Sequence, residues 1–247
     1  MDQSETGPIL VFLGPTLRLP DARSILDAIY LQPVSQGDII LAAHAFRPRA
    51  MVLIDGLFED RPAVRHKEIL WALSQGIVMI GSASMGALRA AELDLFGMIG
   101  VGLIYRWYRR WPLTAEDAVA VQCGPPELGF TALTEALVDL QRSFKVLFRR
   151  GLISKAEMDA GIAAARRLNF RERSIRNVLA AAQWPADKAA LLRSHLIAQK
   201  KADASLALRL APTLTKLKPA KLPYTSTNTF LRDLEAGSID INLIRNY

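Results

Sequence analysis

The chain has 247 residues, of which 51% are hydrophobic and 22% are charged, so a disordered protein is excluded and one large or two small globular domains are expected. The only cysteine, Cys123, excludes an internal disulfide and predicts a reducing, cytoplasmic location. The longest apolar stretch, residues 93–105, contains Asp94 and three glycines and is too short to span a bilayer, so no membrane association is expected.

The positive charge is concentrated in the second half of the chain. Residues 1–112 carry 11 Lys/Arg and 11 Asp/Glu, whereas residues 113–247 carry 20 and 13, which accounts for the net charge of +7. This asymmetry predicts a two-part organisation. A basic surface that receives an acidic partner is one interpretation, and a solvated helical surface is the commoner one. Nucleic-acid binding has only charge in its favour, since no known motif accompanies it.

The first half alternates apolar runs with amphipathic stretches. The runs predict strands at 9–13, 30–34, 51–54 and 77–80, with a fifth at 99–105. The intervening stretches predict four helices: one opened by Pro20, one over 38–46 capped by Asp38, one from Pro62 and one over 87–95. The inner stripe of the third helix is predicted to be Ala63, His66, Leu70 and Leu73. The run at 38–46 is assigned to a helix because too few residues follow it for a parallel crossover.

This alternation predicts an α/β fold: a three-layer parallel sheet, Rossmann-like or flavodoxin-like, over residues 1–112. An α-helical subdomain over 113–212 follows, with helices at 131–150, after a Ser154–Glu157 capping box, and at 173–183 and 187–210. Residues 213–247 are predicted to be an irregular tail, with a short helix near 230–234.

The stretch most typical of a functional site is the turn at 81–86, which reads GSASMG between a buried strand and a helix. Strand, small-residue turn and helix is the setting of a nucleophile elbow. Ser84 fits that pattern better than Ser82, because Ile80 would crowd Ser82. Two simpler interpretations compete: a helix cap, and an anion site at a helix N-terminus.

Other candidate residues gather at the same sheet edge, because the site of an open α/β sheet lies beyond the carboxyl ends of its strands. Asp55, His66 and Ser84 would form an acyl-transfer site in which Ser attacks, His moves the proton and Asp orients the His. The amide of Met85 and one from the Gly14–Thr16 turn would form the oxyanion hole.

The remaining candidates are expected to bind substrate, and each has an alternative. The predicted binding residues are Gly14, Thr16, Lys67, Ser82, Met85, Gly86, Arg89 and Glu92. Lys67 is the alternative base, and Arg89 either binds a substrate carboxylate or pairs with Glu92. Asp55-Gly56 is also an ordinary turn dipeptide. No nucleotide-binding or zinc-binding motif is present, so no cofactor is predicted.

Two long blocks carry a resemblance to a known family. The runs VLIDGLFEDRPAVRHKEILWAL (52–73) and GIVMIGSASMGALRAAELDLFGMIGVG (76–102) closely resemble TfuA-like proteins. Residues 14–17 and 37–38 fit the beginning of the family, and Lys200 with Asp203-Ala204 resembles its late helical motif. The resemblance covers roughly residues 8–210. It departs at 116–120, where the family tends to carry a longer acidic cluster.

The resemblance implies a function and partners. TfuA proteins act with YcaO-type, ATP-using enzymes that convert peptide backbone amides to thioamides. They are thought to hydrolyse the C-terminal thioacid of a ubiquitin-like sulfur-carrier protein and so release sulfide. This is acyl-transfer chemistry, which the edge residues favour independently. The alternative is an accessory protein that docks the carrier and a precursor peptide onto the YcaO partner without chemistry. A homo-oligomer is left open.

Overall fold

A five-stranded parallel sheet is the centre of the structure, a computed structural model that describes residues 7–57, 61–112, 114–185, 188–217 and 223–247. The strands are β1 (Ile9–Phe12), β2 (Ile29–Leu31), β3 (Ala50–Leu53), β4 (Val78–Ser82) and β5 (Ile99–Val101). Their order in the sheet is β2-β1-β3-β4-β5, and every neighbouring pair is parallel.

The helices of the first half connect these strands. They are α1 (Leu19–Arg23), α2 (Asp38–Phe46), α3 (His66–Ser74), α4 (Met85–Leu93) and α5 (Leu103–Arg110), with 3₁₀ turns at Asp94–Phe96, Glu116–Val119 and Pro126–Leu128. The second half contains α6 (Leu137–Arg149), α7 (Lys155–Arg167), α8 (Ile175–Ala181), α9 (Lys188–Ser194), α10 (Gln199–Leu214), α11 (Asn228–Ala236) and a 3₁₀ turn at Ile241–Ile244.

Both faces of the sheet are buried, as expected when strands read as continuous apolar runs. Because side chains alternate along a strand, Leu10 and Phe12 face one core, which α2, α3 and α4 complete. Ile9 and Val11 face the other core, which includes residues of α1 and the small apolar stripe of α10. A helix of the second half thus covers one face of the sheet built by the first half.

The strand order places a topological switch point between β1 and β3. The chain leaves β1 towards β2 on one side, and it leaves β3 towards β4 on the other. A crevice opens at such a point beyond the carboxyl ends of the strands. Residues 13–17 and 54–57 flank it.

The C-terminal segment packs against α2 and α3. His44 at the end of α2 stacks on Trp71 of α3, and the ring of Tyr247 lies edge-on to both. The backbone oxygens of Leu243 and Ile244 accept hydrogen bonds from His44 and Trp71. The C-terminal segment therefore adds to the layer of helices on this face of the sheet.

The predicted fold class is confirmed: a parallel sheet with helices on both faces, followed by a helical part. The capping box at Ser154 and Glu157 is also present, and α11 contains the short helix predicted near 230–234. The division into units at 112 and 212 stays a prediction. None of the helices formed by the described residues is both long and apolar enough to cross a membrane.

Several predicted boundaries and one predicted stripe are wrong. The helix expected from Pro62 begins at His66, because the Glu68 carboxylate reaches back to the Arg65 amide and fixes the first turn there. That shift places His66 at the surface and buries Glu68 and Ile69 instead.

The helix predicted over 187–210 is two helices, α9 and α10, with a break at residues 195–198; Asp187 itself lies outside the described residues. The helices predicted at 131–150 and 173–183 are shorter, at 137–149 and 175–181.

Glu68 gives the fold a pH dependence. Its side chain is fully buried and accepts hydrogen bonds from the Gly37 and Arg65 amides. Burial raises the pKa of Glu68 to about 7. Between the ordinary pKa and this value the folded state holds a proton that the unfolded state has lost. The free energy of unfolding therefore falls as pH rises through this window.

We predict that Glu68→Gln removes this pH dependence. Between about pH 4.5 and pH 7, the wild type loses up to about 3 kcal/mol of unfolding free energy relative to the variant. Urea titrations at a series of pH values measure the difference in slope. The exposed Glu172→Gln serves as the control and keeps the wild-type slope. Parallel stability curves for wild type and Glu68→Gln would contradict the prediction.

Candidate functional site

The turn between β4 and α4 has an unusual backbone. Ala83, a buried residue with a side chain, has φ of +65°, and Ser84 after it has φ of −125° and ψ of −128°. Such conformations persist only where surrounding contacts enforce them, and they concentrate at functional sites. The enforcing contact is visible: the Gly86 amide donates to the Ile54 carbonyl at the end of β3.

Two glycines allow α4 to lie this close to the sheet. A Cβ on Gly86 would lie 1.8 Å from the Leu53 oxygen, and one on Gly81 would lie 2.1 Å from the Gly86 oxygen. Small residues at these positions are therefore a steric requirement of the turn. The predicted placement of Ser84 at a strand-to-helix turn is observed.

Ser84 is the N-cap residue of α4, but its side chain does not cap the helix. Its hydroxyl forms no hydrogen bond with any of the described residues, and the residue is 6% exposed. The amide of Met85, which follows it, likewise has no acceptor within the described ranges. The free hydroxyl of a serine and an unused amide thus belong to consecutive residues, which is how a nucleophile and an oxyanion donor are arranged.

Asp55 ties together the two loops at the switch point. Its carboxylate accepts hydrogen bonds from the amides of Gly14 and Thr16 at 2.9 and 3.1 Å and from the Thr16 hydroxyl at 2.6 Å. The side chain is 1% exposed. Since Pro15 has no N–H, both amides of this turn donate to Asp55. The predicted contribution of this turn to an oxyanion hole therefore has no support in the contacts.

A narrow cavity of about 20 Å³ lies beside Ser84 at the switch point. Its walls come from the loops after β1 and β3, the start of α4, residues 116–123 and Lys200 of α10. Ser84, Cys123 and Lys200 are the nucleophilic or basic side chains that line it. The cavity admits about one water molecule. As it stands, it is therefore too narrow for a bulky ligand.

Lys200 is a buried cation in this cavity. Its ammonium donates to the Val119 carbonyl at 2.7 Å. Burial lowers its pKa, whereas the nearby carboxylates of Asp55 and Asp139 act in the opposite direction. A lysine whose neutral form is favoured by burial can act as a general base.

Asp139 holds the start of α10, on which Lys200 lies. Its carboxylate accepts a hydrogen bond from the Lys200 amide at 3.1 Å. Burial raises the pKa of Asp139 to about 6. A carboxylate at a helix N-terminus stabilises that end of the helix, so Asp139 fixes the helix turn that presents Lys200.

His66 belongs to a separate polar cluster. Its Nε2 lies 2.7 Å from Glu92, which also accepts from Arg89 at 2.7 Å. Burial alone would raise the pKa of Glu92, but the hydrogen bonds from His66 and Arg89 outweigh burial and lower it. Glu92 is eight positions beyond Ser84, about 12 Å along the helix axis. The carboxylate that contacts His66 is thus that of Glu92, and not that of Asp55.

The other predicted residues have structural contacts. Ser82 donates to the carbonyls of Val101 and Asp203, which joins β4, β5 and α10. Lys67 donates to the Thr225 carbonyl in the C-terminal segment. Arg89 pairs with Glu92, as the alternative interpretation expected, and donates to the Val64 carbonyl.

Three further residues line the cavity without having been predicted as site residues: Glu116, Cys123 and Lys200. A signal existed for Lys200. It lies on the buried stripe of α10, one turn before Ala204 and two before Ala207 and Leu208. A lysine in a stripe of small apolar residues is typical of a functional or paired cation.

Comparison with known proteins identifies one family. Residues 55–174 match the family model described as TfuA-like protein, a region that includes Asp55, His66, Ser84 and Cys123. A search of curated proteins gave no match.

We predict that Gly86→Ala destabilises the protein by about 2 kcal/mol, because the added methyl group would overlap the Leu53 carbonyl. Thermal unfolding followed by circular dichroism measures the loss. In Gly124→Ala the new Cβ would have its nearest neighbour at 3.7 Å, so this control stays within about 0.5 kcal/mol of wild type. Equal melting temperatures for the two variants would show that the close approach is not required.

Proposed function

Since the chain belongs to the TfuA-like family through residues 55–174, we propose that it hydrolyses the C-terminal thioacid of a ubiquitin-like sulfur-carrier protein. Family membership associates the protein with YcaO-type thioamidation, and the released sulfide would serve that reaction. The observation that carries the proposal is the Ser84 hydroxyl. It is held at a strained strand-to-helix turn, makes no helix cap, and lines a cavity with a buried lysine.

The chemistry follows from these groups. Ser84 Oγ attacks the carbonyl carbon of the thioacid and gives up its proton to a base. The C–S bond breaks, hydrosulfide leaves, and the carrier remains as an ester on Ser84. Water then cleaves the ester and restores the hydroxyl, leaving the carrier with a C-terminal carboxylate. The Met85 amide would stabilise the negative oxygen that forms in both steps.

Two groups compete for the role of base. His66 is the base predicted from the sequence, with Asp55 as its orienting group, but its contact is with Glu92 at the protein surface. Lys200 lines the same cavity as Ser84, and burial favours its neutral form. We assign the base to Lys200, in the manner of Ser–Lys hydrolases. Asp55 then acts by fixing the Thr16 loop, which places Pro15 in the cavity wall.

A second function uses the same groups without chemistry. The Lys200 ammonium and the N-terminus of α4 would hold the carboxylate of a carrier terminus. The protein would then dock the carrier, and a precursor peptide, onto a YcaO-type partner. The hydrogen bond from Lys200 Nζ to the Val119 carbonyl is the observation in favour of this function, because it holds the amino group in the wall of the cavity.

We predict that Ser84→Ala abolishes sulfide release from a thiocarboxylated carrier, with a rate loss of several powers of ten, because no covalent route remains. Sulfide release is measured with this protein alone and with a YcaO-type enzyme. Ser74→Ala, which removes a hydroxyl from the end of α3, is the matched control and leaves the rate unchanged. Near wild-type release by a folded Ser84→Ala protein, together with unchanged carrier binding, would favour docking without catalysis.

The base is tested separately. We predict that Lys200→Met lowers the rate by at least about a hundredfold, whereas His66→Ala changes it by less than about threefold. The pH profile distinguishes a base from a structural residue, since Lys200→Met also removes the limb that reports the free amine. The opposite pattern would return the role to His66.

A further inference from the structure

A second cleft lies on the surface between α5, α6 and the first residue of α10. It has a volume of about 180 Å³, and most of its lining residues belong to the basic second half of the chain. We call it the α5–α6 cleft. No part of the proposed hydrolysis uses it, and none of the residues that line it lines the cavity beside Ser84.

The α5–α6 cleft has an apolar floor and a basic rim. Its floor includes Leu103, Ile104 and Val138, and its rim carries Arg142, Lys145 and Arg149, which lie on one face of α6. These three cations are exposed. In the parts of the chain that the structure describes, they form no ion pair, and no carboxylate lines the cleft.

The apolar surface continues beyond the α5–α6 cleft along α5. Trp107 lines it and also lines an adjacent shallow depression with Trp111, Pro112 and Arg166. The Trp111 side chain is 56% exposed. Exposed tryptophan beside unpaired arginines is the composition typical of binding hot spots.

We propose that the α5–α6 cleft binds an acidic amphipathic peptide segment of a partner protein. Such a segment would place aliphatic side chains on the floor and carboxylates against the rim. The partner would supply the negative charge that the rim lacks among the described residues, so the charges are complementary. An apolar groove is also the kind of site that receives the apolar face of an amphipathic helix.

The aliphatic floor favours a peptide over nucleic acid. Single strands bind through rows of aromatic side chains on which bases stack, whereas Trp107 is the one aromatic residue among those that line the α5–α6 cleft, and the floor is aliphatic. A concave site of this volume also fits a side chain better than it fits a flat lipid surface. The proposal stands without the hydrolase proposal, because the two sites have no lining residue in common.

The test uses a designed probe. A fluorescein-labelled peptide of about 15 residues, made of glutamate, leucine and alanine, presents a leucine stripe flanked by glutamates when helical. Its anisotropy is titrated with the full chain at low and at physiological salt. The comparison peptide carries glutamine in place of every glutamate. A single strand of thymidine nucleotides of similar length is the competitor.

We predict saturable binding of the acidic peptide that weakens with salt, and at least tenfold weaker binding by the glutamine peptide. Arg142→Glu with Arg149→Glu should weaken binding of the acidic peptide at least tenfold. The matched control is Arg176→Glu with Arg193→Glu, which makes the same charge change at exposed residues that do not line the cleft and leaves binding within about twofold. All four positions are exposed, so circular dichroism should show unchanged folds.

Three results would overturn the proposal. The first is an acidic peptide that does not bind at millimolar protein. The second is equal weakening by the cleft pair and the control pair, which would indicate a diffuse charge effect. The third is displacement of the peptide by the thymidine strand, together with a lower dissociation constant for the strand than for the peptide. That result would assign the surface to nucleic acid.

Discussion

The arrangement of the site depends on the carboxylate of Asp55. Three hydrogen bonds from Gly14 and Thr16 hold the loop after β1 against the loop after β3, at the point where the strand order reverses. A carboxylate that is almost fully buried is tolerated only when such bonds replace its water. They close one wall of the cavity beside Ser84. The close approach of Gly86 to β3 fixes the start of α4, which forms another part of the cavity wall.

The second half of the chain completes the site through buried polar contacts. Asp139 of α6 accepts a hydrogen bond from the first turn of α10, and Lys200 on that turn donates to the Val119 carbonyl. One turn later, Asp203 accepts a hydrogen bond from the Ile104 amide of α5. Removing one partner of such a contact leaves the other unsatisfied in the interior, which costs more than the contact itself contributes. These contacts therefore specify one position of α10 on the sheet.

The sequence predicted those features that arise from neighbouring residues. The apolar runs, the turn at 81–86 and the capping box at Ser154 are local patterns, and the structure contains them. The start of α3 at His66 was mispredicted because it depends on a hydrogen bond from the Arg65 amide back to the Glu68 side chain. Pro62, four residues earlier, is also a favourable residue for a helix start. The break before α10 was missed because the apolar spacing continues across it.

The candidate site was predicted only in part, for a physical reason. Ser84 was found because strand, turn and helix are consecutive in the chain. Lys200 follows it by more than a hundred residues, and only the packing of α10 on the second face of the sheet brings it to the same cavity. Asp55 was predicted as the partner of His66 because sheet topology brings both to the same edge. The observed contact of His66 is with Glu92, and it depends on the side-chain directions of α3 and α4.

The first turn of α10 lies between the two clefts. Gln199 lines the α5–α6 cleft, and Lys200, the next residue, lines the cavity beside Ser84. Gln199 also donates to Asp203 at 2.6 Å, and the same carboxylate accepts from the start of α5. A peptide seated between α5 and α6 would therefore touch the hydrogen bonds that position the buried lysine. Coupling between the sites requires that this turn have two arrangements with different affinities. The side chain of Gln199, which can bond either Asp203 or a bound peptide, is the element that would change between them.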